Sequence, residues 1–121
     1  MQYGGGLRIW GTATLIDSNV YSNQAGYGAG LYIYDGGVAN LDGCQVYENV
    51  AGNRGSGGGL YVGGVANLDD CNVFSNQAHG TLVHFEGGGG LAVWTSGTAN
   101  LEGCNIFDNV AQRGGGLLVY G

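Results

Sequence analysis

The sequence predicts an all-β solenoid, a parallel β-helix of four coils plus a partial fifth, and three observations lead there. An 11-residue block, L-x-x-[SC]-x-[VI]-x-x-N-x-A, occurs four times without a gap. A second block, G-[GA]-G-L-x-[VIL], occurs five times, alternating with the first. Glycine supplies 28 of the 121 residues and proline none, in a chain that is 44% hydrophobic and 10% charged. Repeats of this length are the mark of stacked structural units. The lack of proline excludes collagen, and the apolar content excludes featureless disorder. No apolar run approaches the roughly 18 residues of a membrane span.

Each coil opens on the glycine block, beginning at Gly4, Gly28, Gly57, Gly88 and Gly114, where turns need positive φ. The leucines that follow, Leu7, Leu31, Leu60, Leu91 and Leu117, start short strands with a period of two, as in Leu31-Tyr-Ile33. A second strand follows around Ala13, Ala39, Ala66 and Ala99, read as inward-facing. The 11-residue block then begins at Leu15, Leu41, Leu68 and Leu101, and places its Ser or Cys, its Val or Ile, its Asn and its final Ala inward. The resulting coils are residues 4–27, 28–56, 57–87 and 88–113, with 114–121 starting a fifth, all in one β-helix domain.

Length variation is confined to two places. From the final Ala to the next glycine-block leucine the counts are 6, 9, 13 and 6, and from that leucine to the block leucine they are 8, 10, 8 and 10. Segments of fixed length are strands that stack in register; segments of varying length are corners. Alternate copies agree with each other, SNQA with the shorter spacing and [ED]NVA with the longer, so the chain reads as a duplicated pair of coils. The block is also similar to the leucine-rich-repeat consensus. The other half of each repeat decides, because it holds GGGL, a strand and another turn where a leucine-rich repeat carries a helix or extended segment.

At these residues the chain resembles a right-handed parallel β-helix of the pectate-lyase-like superfamily. More narrowly, it is similar to the GGA[IL] and FxxN repeats of polymorphic outer-membrane proteins. GGGL stands for the first motif, and VYSN, VYEN, VFSN and IFDN, ending at Asn23, Asn49, Asn76 and Asn109, stand for the second. The resemblance implies the fold across nearly the whole chain. It implies little about function, since this fold hosts lyases, hydrolases, epimerases, adhesins and spacers. The sequence runs from Met1 straight into the glycine pattern, which reads as no signal peptide. It closes on GGGLLVYG, the start of a coil, which reads as an excerpt of a longer array or a unit that stacks on another.

Nine acids against three arginines give a net charge of -6, the wrong sign for neutralising phosphates, so a nucleic-acid partner is not expected. Cys44, Cys71 and Cys104 share one inward position and read as reduced core thiols, since an odd count without CxxC spacing fits neither a disulfide framework nor zinc. The four asparagines read as a hydrogen-bonded stack at one corner. After the block leucine come Ile16, Asp42, Asp69 and Glu102, with Asp70 beside them. This acidic column reads as a solvated stripe rather than a calcium site, because one carboxylate per coil offers few ligands. Arg54, His79, His84 and Glu86, in two insertions expected at one corner, are the candidates for a lyase or epimerase chemistry like that of the fold's enzymes. Thr12, Val38, Val65 and Thr98, with Thr14, Asn40, Asn67 and Asn100, form a flat ladder of the kind that binds ice, complete as T-x-T in the first coil only.

The outward positions of the GGGL strands read Arg8, Tyr32, Tyr61, Ala92, Leu118 and Trp10, Tyr34, Gly63, Trp94, Tyr120. Aromatic side chains in such columns stack on sugar rings or bury in a protein interface. The sequence therefore predicts a non-catalytic scaffold or binding module whose partner, a protein or a glycan, is met through Trp10, Tyr32, Tyr34, Tyr61, Trp94 and Tyr120. It assigns no catalytic residue, metal or cofactor. A fragment of a polysaccharide lyase or epimerase is the second reading and ice binding the third. End-to-end self-association through the first and last GGGL strands is a further expectation.

Overall fold

The computed structural model describes residues 2–52, 54–80 and 86–121, and those residues form a right-handed parallel β-helix without α-helix. The first coil consists of β1 (Leu7–Ile9), β2 (Thr12–Ile16), β3 (Asn19–Tyr21) and β4 (Gln24–Ala25). The second repeats it as β5 (Leu31–Ile33), β6 (Val38–Asp42), β7 (Gln45–Tyr47) and β8 (Val50–Ala51). The third is β9 (Leu60–Val62), β10 (Val65–Asp69), β11 (Asn72–Phe74) and β12 (Gln77–Ala78). The fourth is β13 (Leu91–Val93), β14 (Thr98–Glu102), β15 (Asn105–Phe107) and β16 (Val110–Ala111), and β17 (Leu117–Val119) opens the fifth. Like strands pair in parallel into four sheets, the first with five strands and the others with four.

The register is the one the repeats dictate. Leu7 stands on Leu31, Leu31 on Leu60, Leu60 on Leu91 and Leu91 on Leu117, while Ala39 on Ala66 and Val46 on Val73 show the same rule in the second and third sheets. The inward members of the middle coils make the core: Leu31, Leu60, Leu91, Leu41, Leu68, Val46 and Val73 are fully buried. A smaller alanine column, Ala25, Ala51 and Ala78, closes the narrow side. The same positions are exposed in the last coils, as at Leu101, Leu117 and Val119.

Corners explain the alternation between coils. After β5 and β13 the chain takes four residues to reach the next strand, in turns closed by hydrogen bonds from Gly37 N to Tyr34 O and from Gly97 N to Trp94 O, both 2.8 Å. After β1 and β9 two residues suffice. A second corner, between the second and third sheets, alternates Asp17, Gly43, Asp70 and Gly103, all at positive φ. A Cβ at Gly43 or Gly103 would come up against the carboxylate oxygen of Asp17 or Asp70 in the coil beneath, so glycine above aspartate leaves that side chain its room.

At the third corner Ser22, Glu48, Ser75 and Asp108 all have φ of 53 or 54°, a conformation that costs a non-glycine residue about 1 kcal/mol. The asparagine that follows each one holds it there. Asn49 Nδ2 donates to Asn76 Oδ1 (2.9 Å) and to Val20 O (3.0 Å), and Asn76 Nδ2 donates to Asn109 Oδ1 (3.0 Å) and to Val46 O (2.9 Å). Each Oδ1 also accepts the backbone N–H of the preceding asparagine, from Asn23 to Asn49 through to Asn76 to Asn109. The expected asparagine stack is thus a ladder that ties adjacent coils together.

All three cysteines are free thiols. Cys44 Sγ donates to Leu15 O, Cys71 Sγ to Leu41 O and Cys104 Sγ to Leu68 O, each one coil back. Cys44 and Cys71 have no exposed surface, whereas Cys104 in the last complete coil is half-buried. Alkylation of the native protein should therefore modify Cys104 first and leave Cys44 and Cys71 intact until denaturant is added, with peptide mass mapping as the readout. Fast labelling of all three would contradict the inward register.

Candidate functional site

The outer face of the first sheet gathers the aromatic residues. Successive coils set Trp10, Tyr34, Gly63, Trp94 and Tyr120 in one column, as the backbone bonds Tyr34 N to Ile9 O, Gly63 N to Ile33 O, Trp94 N to Val62 O and Tyr120 N to Val93 O require. Strand pairing places Arg8, Tyr32 and Tyr61 in the neighbouring column. Trp10 stacks on Tyr34 with ring centroids 4.3 Å apart and planes 13° apart. Tyr32 stacks on Tyr61 at 4.6 Å and 1°, and meets Tyr34 edge-on at 4.6 Å. Tyr61 reaches Trp94 at 6.0 Å, and Trp94 reaches Tyr120 at 4.5 Å. The six residues that the sequence singled out are therefore one contact network.

Two tyrosines that sequence reading passed over extend it. Tyr3 and Tyr27, each four residues before a glycine-block leucine, pair as an isolated bridge, stack at 5.6 Å, and touch Tyr32 and Tyr61 respectively. Their common offset from Leu7 and Leu31 was the available signal. The network has a covered centre and an open rim: Tyr61 is only 8% exposed and Ala92 not at all, against 59% for Trp10 and 42% for Trp94. Tyr61 is a floor under its neighbours and not a free contact residue.

Charged groups border this network at both ends. Arg8 donates from Nη2 to the Tyr34 hydroxyl at 2.7 Å, and its guanidinium lies 4.8 Å from the centre of the Trp10 ring, a cation–π arrangement. At the other end Glu86 is buried and accepts the Tyr27 hydroxyl at 3.3 Å. The Tyr120 hydroxyl is buried with no hydrogen-bond partner among the described residues.

Burial is the main cause that raises the phenol pKa values of Tyr27, Tyr32, Tyr61 and Tyr120, and Glu86 adds to the effect at Tyr27. Burial likewise pushes the Cys71 thiol up from 9.0 to about 11. An acid whose pKa is raised by folding keeps its proton longer in the native state, so its stabilisation is complete below the unfolded pKa and is lost as pH rises toward the folded one. For Cys71 alone the loss between roughly pH 9 and 11 is on the order of 2 kcal/mol. Urea melts should show stability falling across that window in the wild type and less so in Cys71→Ala. A flat profile would contradict the buried thiol.

The other candidates lie apart from this face. The acidic column is in register as expected, Ile16 on Asp42, Asp42 on Asp69 and Asp69 on Glu102, and is exposed on the second sheet. Beside it Asn100 Nδ2 donates to Asn67 Oδ1 at 2.8 Å and Asn67 Nδ2 to Asn40 Oδ1 at 2.9 Å, an outward amide ladder within shallow depressions that Asp69 and Glu102 also line. Among the described residues no three His, Cys, Asp or Glu side chains are grouped to hold a metal ion. The two insertions do leave at one corner, where His79 N donates to Ala51 O, but His79 and Arg54 are exposed while Glu86 turns inward to Tyr27. His84 lies outside the described residues.

A second aromatic ladder went unread in the sequence. Tyr21, Tyr47, Phe74 and Phe107 stack on the outside of the third sheet at 5.0 Å each, with planes within 6°. The signal was the third letter of VYSN, VYEN, VFSN and IFDN counted back from Asn, aromatic in every copy. Its rings cover one another face to face along a single column, beside the polar column of Asn19, Gln45, Asn72 and Asn105 on the same strands, in which Asn105 Nδ2 donates to Asn72 Oδ1 at 3.0 Å. Among the described residues no helix is long and apolar enough to cross a membrane.

Residues 5–121 match the protein family described as "Right handed beta helix region". No curated protein and no solved structure matches the chain.

Proposed function

The chain belongs to the right-handed β-helix family, whose fold serves enzymes and non-enzymes alike, and from that premise we propose that it is a non-catalytic binding module. It meets a glycan or protein partner through the aromatic face of the first sheet. The observation that carries this reading is the unbroken network from Tyr3 to Tyr120, with Trp10 and Trp94 exposed at its rim. Tryptophan at the open edge of a rigid aromatic surface offers large apolar area at small entropic cost. The rigidity comes from the strands beneath, so the rings are held in place before the partner arrives.

Catalysis on this fold needs an acid or base near a groove, and the described candidates differ in their surroundings. Glu86 is committed to Tyr27, while Arg54 and His79 face solvent. The module reading therefore supports no turnover of polygalacturonate, with or without calcium, measured as release of unsaturated or reducing ends. Gel electrophoresis through immobilised polysaccharides tests binding: the wild type is expected to be retarded and the double variant Trp10→Ala, Trp94→Ala to run freely. Equal retardation of the two proteins would move the binding surface elsewhere.

A further inference from the structure

We infer that the outer face of the third sheet, a surface separate from the aromatic face of the first, docks a basic protein segment laid along the helix axis. The charge of the chain is divided by side. Asp42, Asp69 and Glu102 stand at the end of the second sheet, Asp17 and Asp70 at the corner that follows, and Glu48 and Asp108 at the corner beyond the third. All seven are exposed, and among the described residues no hydrogen bond or ion pair engages their carboxylates. No Lys, Arg or His falls within residues 12–25, 38–51, 65–78 or 98–111. Arg8 lies on the first sheet, and Arg54 and Arg113 follow the strands of the fourth. The third sheet is therefore bordered by uncompensated negative charge, which draws a cationic partner and repels a nucleic acid or a second copy of this chain.

Between these rows of acids runs the ladder of Tyr21, Tyr47, Phe74 and Phe107, its rings 5.0 Å apart, with Tyr21 52% and Phe107 46% exposed. An apolar strip bordered by carboxylates matches a long basic side chain, whose methylenes lie along the rings while its charged head reaches the acids. Arginine suits it best, because its planar fork pairs with a carboxylate through two hydrogen bonds. A divalent metal ion suits it poorly, since among the described residues no three such side chains are grouped to hold one. The amide column of Asn19, Gln45, Asn72 and Asn105 lies two residues from the rings on the same strands and so on the same face. Beyond the bond from Asn105 to Asn72, no hydrogen bond within the described residues occupies these side chains. A peptide backbone offers them acceptors as well as donors; a protonated polyamine offers donors only. Four coils at about 4.8 Å each make the strip about 14 Å long, the reach of roughly four extended residues.

Calorimetric titration with a capped peptide of alternating arginine and alanine, its glutamate counterpart and spermine, at low and moderate salt, tests this. The arginine peptide is expected to bind saturably with an affinity that falls as salt rises, and the glutamate peptide not to bind. Asp42→Asn combined with Asp69→Asn should weaken that binding about fivefold. Phe74→Ala and Tyr47→Ala, each checked by circular dichroism for the wild-type fold, should each weaken it by about the same factor and leave its salt dependence in place. Trp94→Ala on the first sheet should leave it alone. Absence of binding, or binding that the aspartate substitutions leave unaltered, overturns the inference. Binding that falls with the aspartates but not with either ring is diffuse attraction of charge and overturns it as well. Spermine held as tightly as the peptide overturns the choice of a protein segment.

Discussion

Asn76→Ala is expected to destabilise the protein by about 4 kcal/mol, because it leaves several buried polar groups without partners at about 1–3 kcal/mol each. Asn76 is wholly buried, its Oδ1 accepts from Asn49 N (3.0 Å) and Asn49 Nδ2 (2.9 Å), and its Nδ2 donates to Val46 O and Asn109 Oδ1. Alanine removes all four bonds, opens a void between coils, and releases Ser75 from the hold that keeps it at φ 53°. Asn23 supplies the control within the same ladder. It is half-buried in the first coil, and Asn23→Ala keeps the Asn23 N to Asn49 Oδ1 bond while losing the Nδ2 donor, so about 1 kcal/mol is expected. Chemical denaturation of both variants gives the comparison. Equal, small effects would mean that the asparagines decorate the corner and do not hold it.

Gly58→Ala should cost about 4 kcal/mol or more, in the range reserved for outright collisions. A Cβ at Gly58 would press on the carbonyl oxygens of Gln77 and Gly89, closer than any real side chain stands to backbone. Gln77 O lies across the coil and Gly89 O in the next one, so relief requires prying strands apart. The glycine block is therefore fixed by close approach of backbone as much as by the positive φ of its first residue, 68° at Gly57. Gly11, with nothing near and an ordinary φ, marks the opposite case. Gly11→Ala is expected to be neutral or to stabilise by up to about 1 kcal/mol through the unfolded chain. Thermal melts that rank these two substitutions the other way would contradict the packing described.

Inward positions were legible in the sequence because stacking makes them obey a repeat. Leucine must sit on leucine and asparagine on asparagine when each coil's only neighbours are its own copies, so the fold, the register and the asparagine ladder follow from the 11-residue block. Outward positions are bound by no such rule. Nothing in the alternation of Arg8, Tyr32 and Tyr61 says that Tyr61 sinks under its neighbours, since its burial depends on Tyr27 and Trp94 from other coils. Glu86 is a candidate for chemistry by residue type alone, and its burial against Tyr27, two coils away, depends on an insertion that no repeat constrains. The Tyr21, Tyr47, Phe74 and Phe107 ladder is the exception, a regular outward column that was readable at the letters preceding each asparagine pair and was passed over beside the richer face.

Nuclear magnetic resonance titration of the isotope-labelled chain, with the oligosaccharide that binds most tightly, tests the account most directly. The two indole N–H signals report on the two tryptophans alone, Trp10 and Trp94. The account predicts that both shift with saturation, together with the amides of Tyr32, Tyr34 and Tyr120, while Asn40, Asn67 and Asn100 on the second sheet stay still. Saturable shifts at those asparagines, or at Arg54 and His79, with both indoles unmoved, would contradict it.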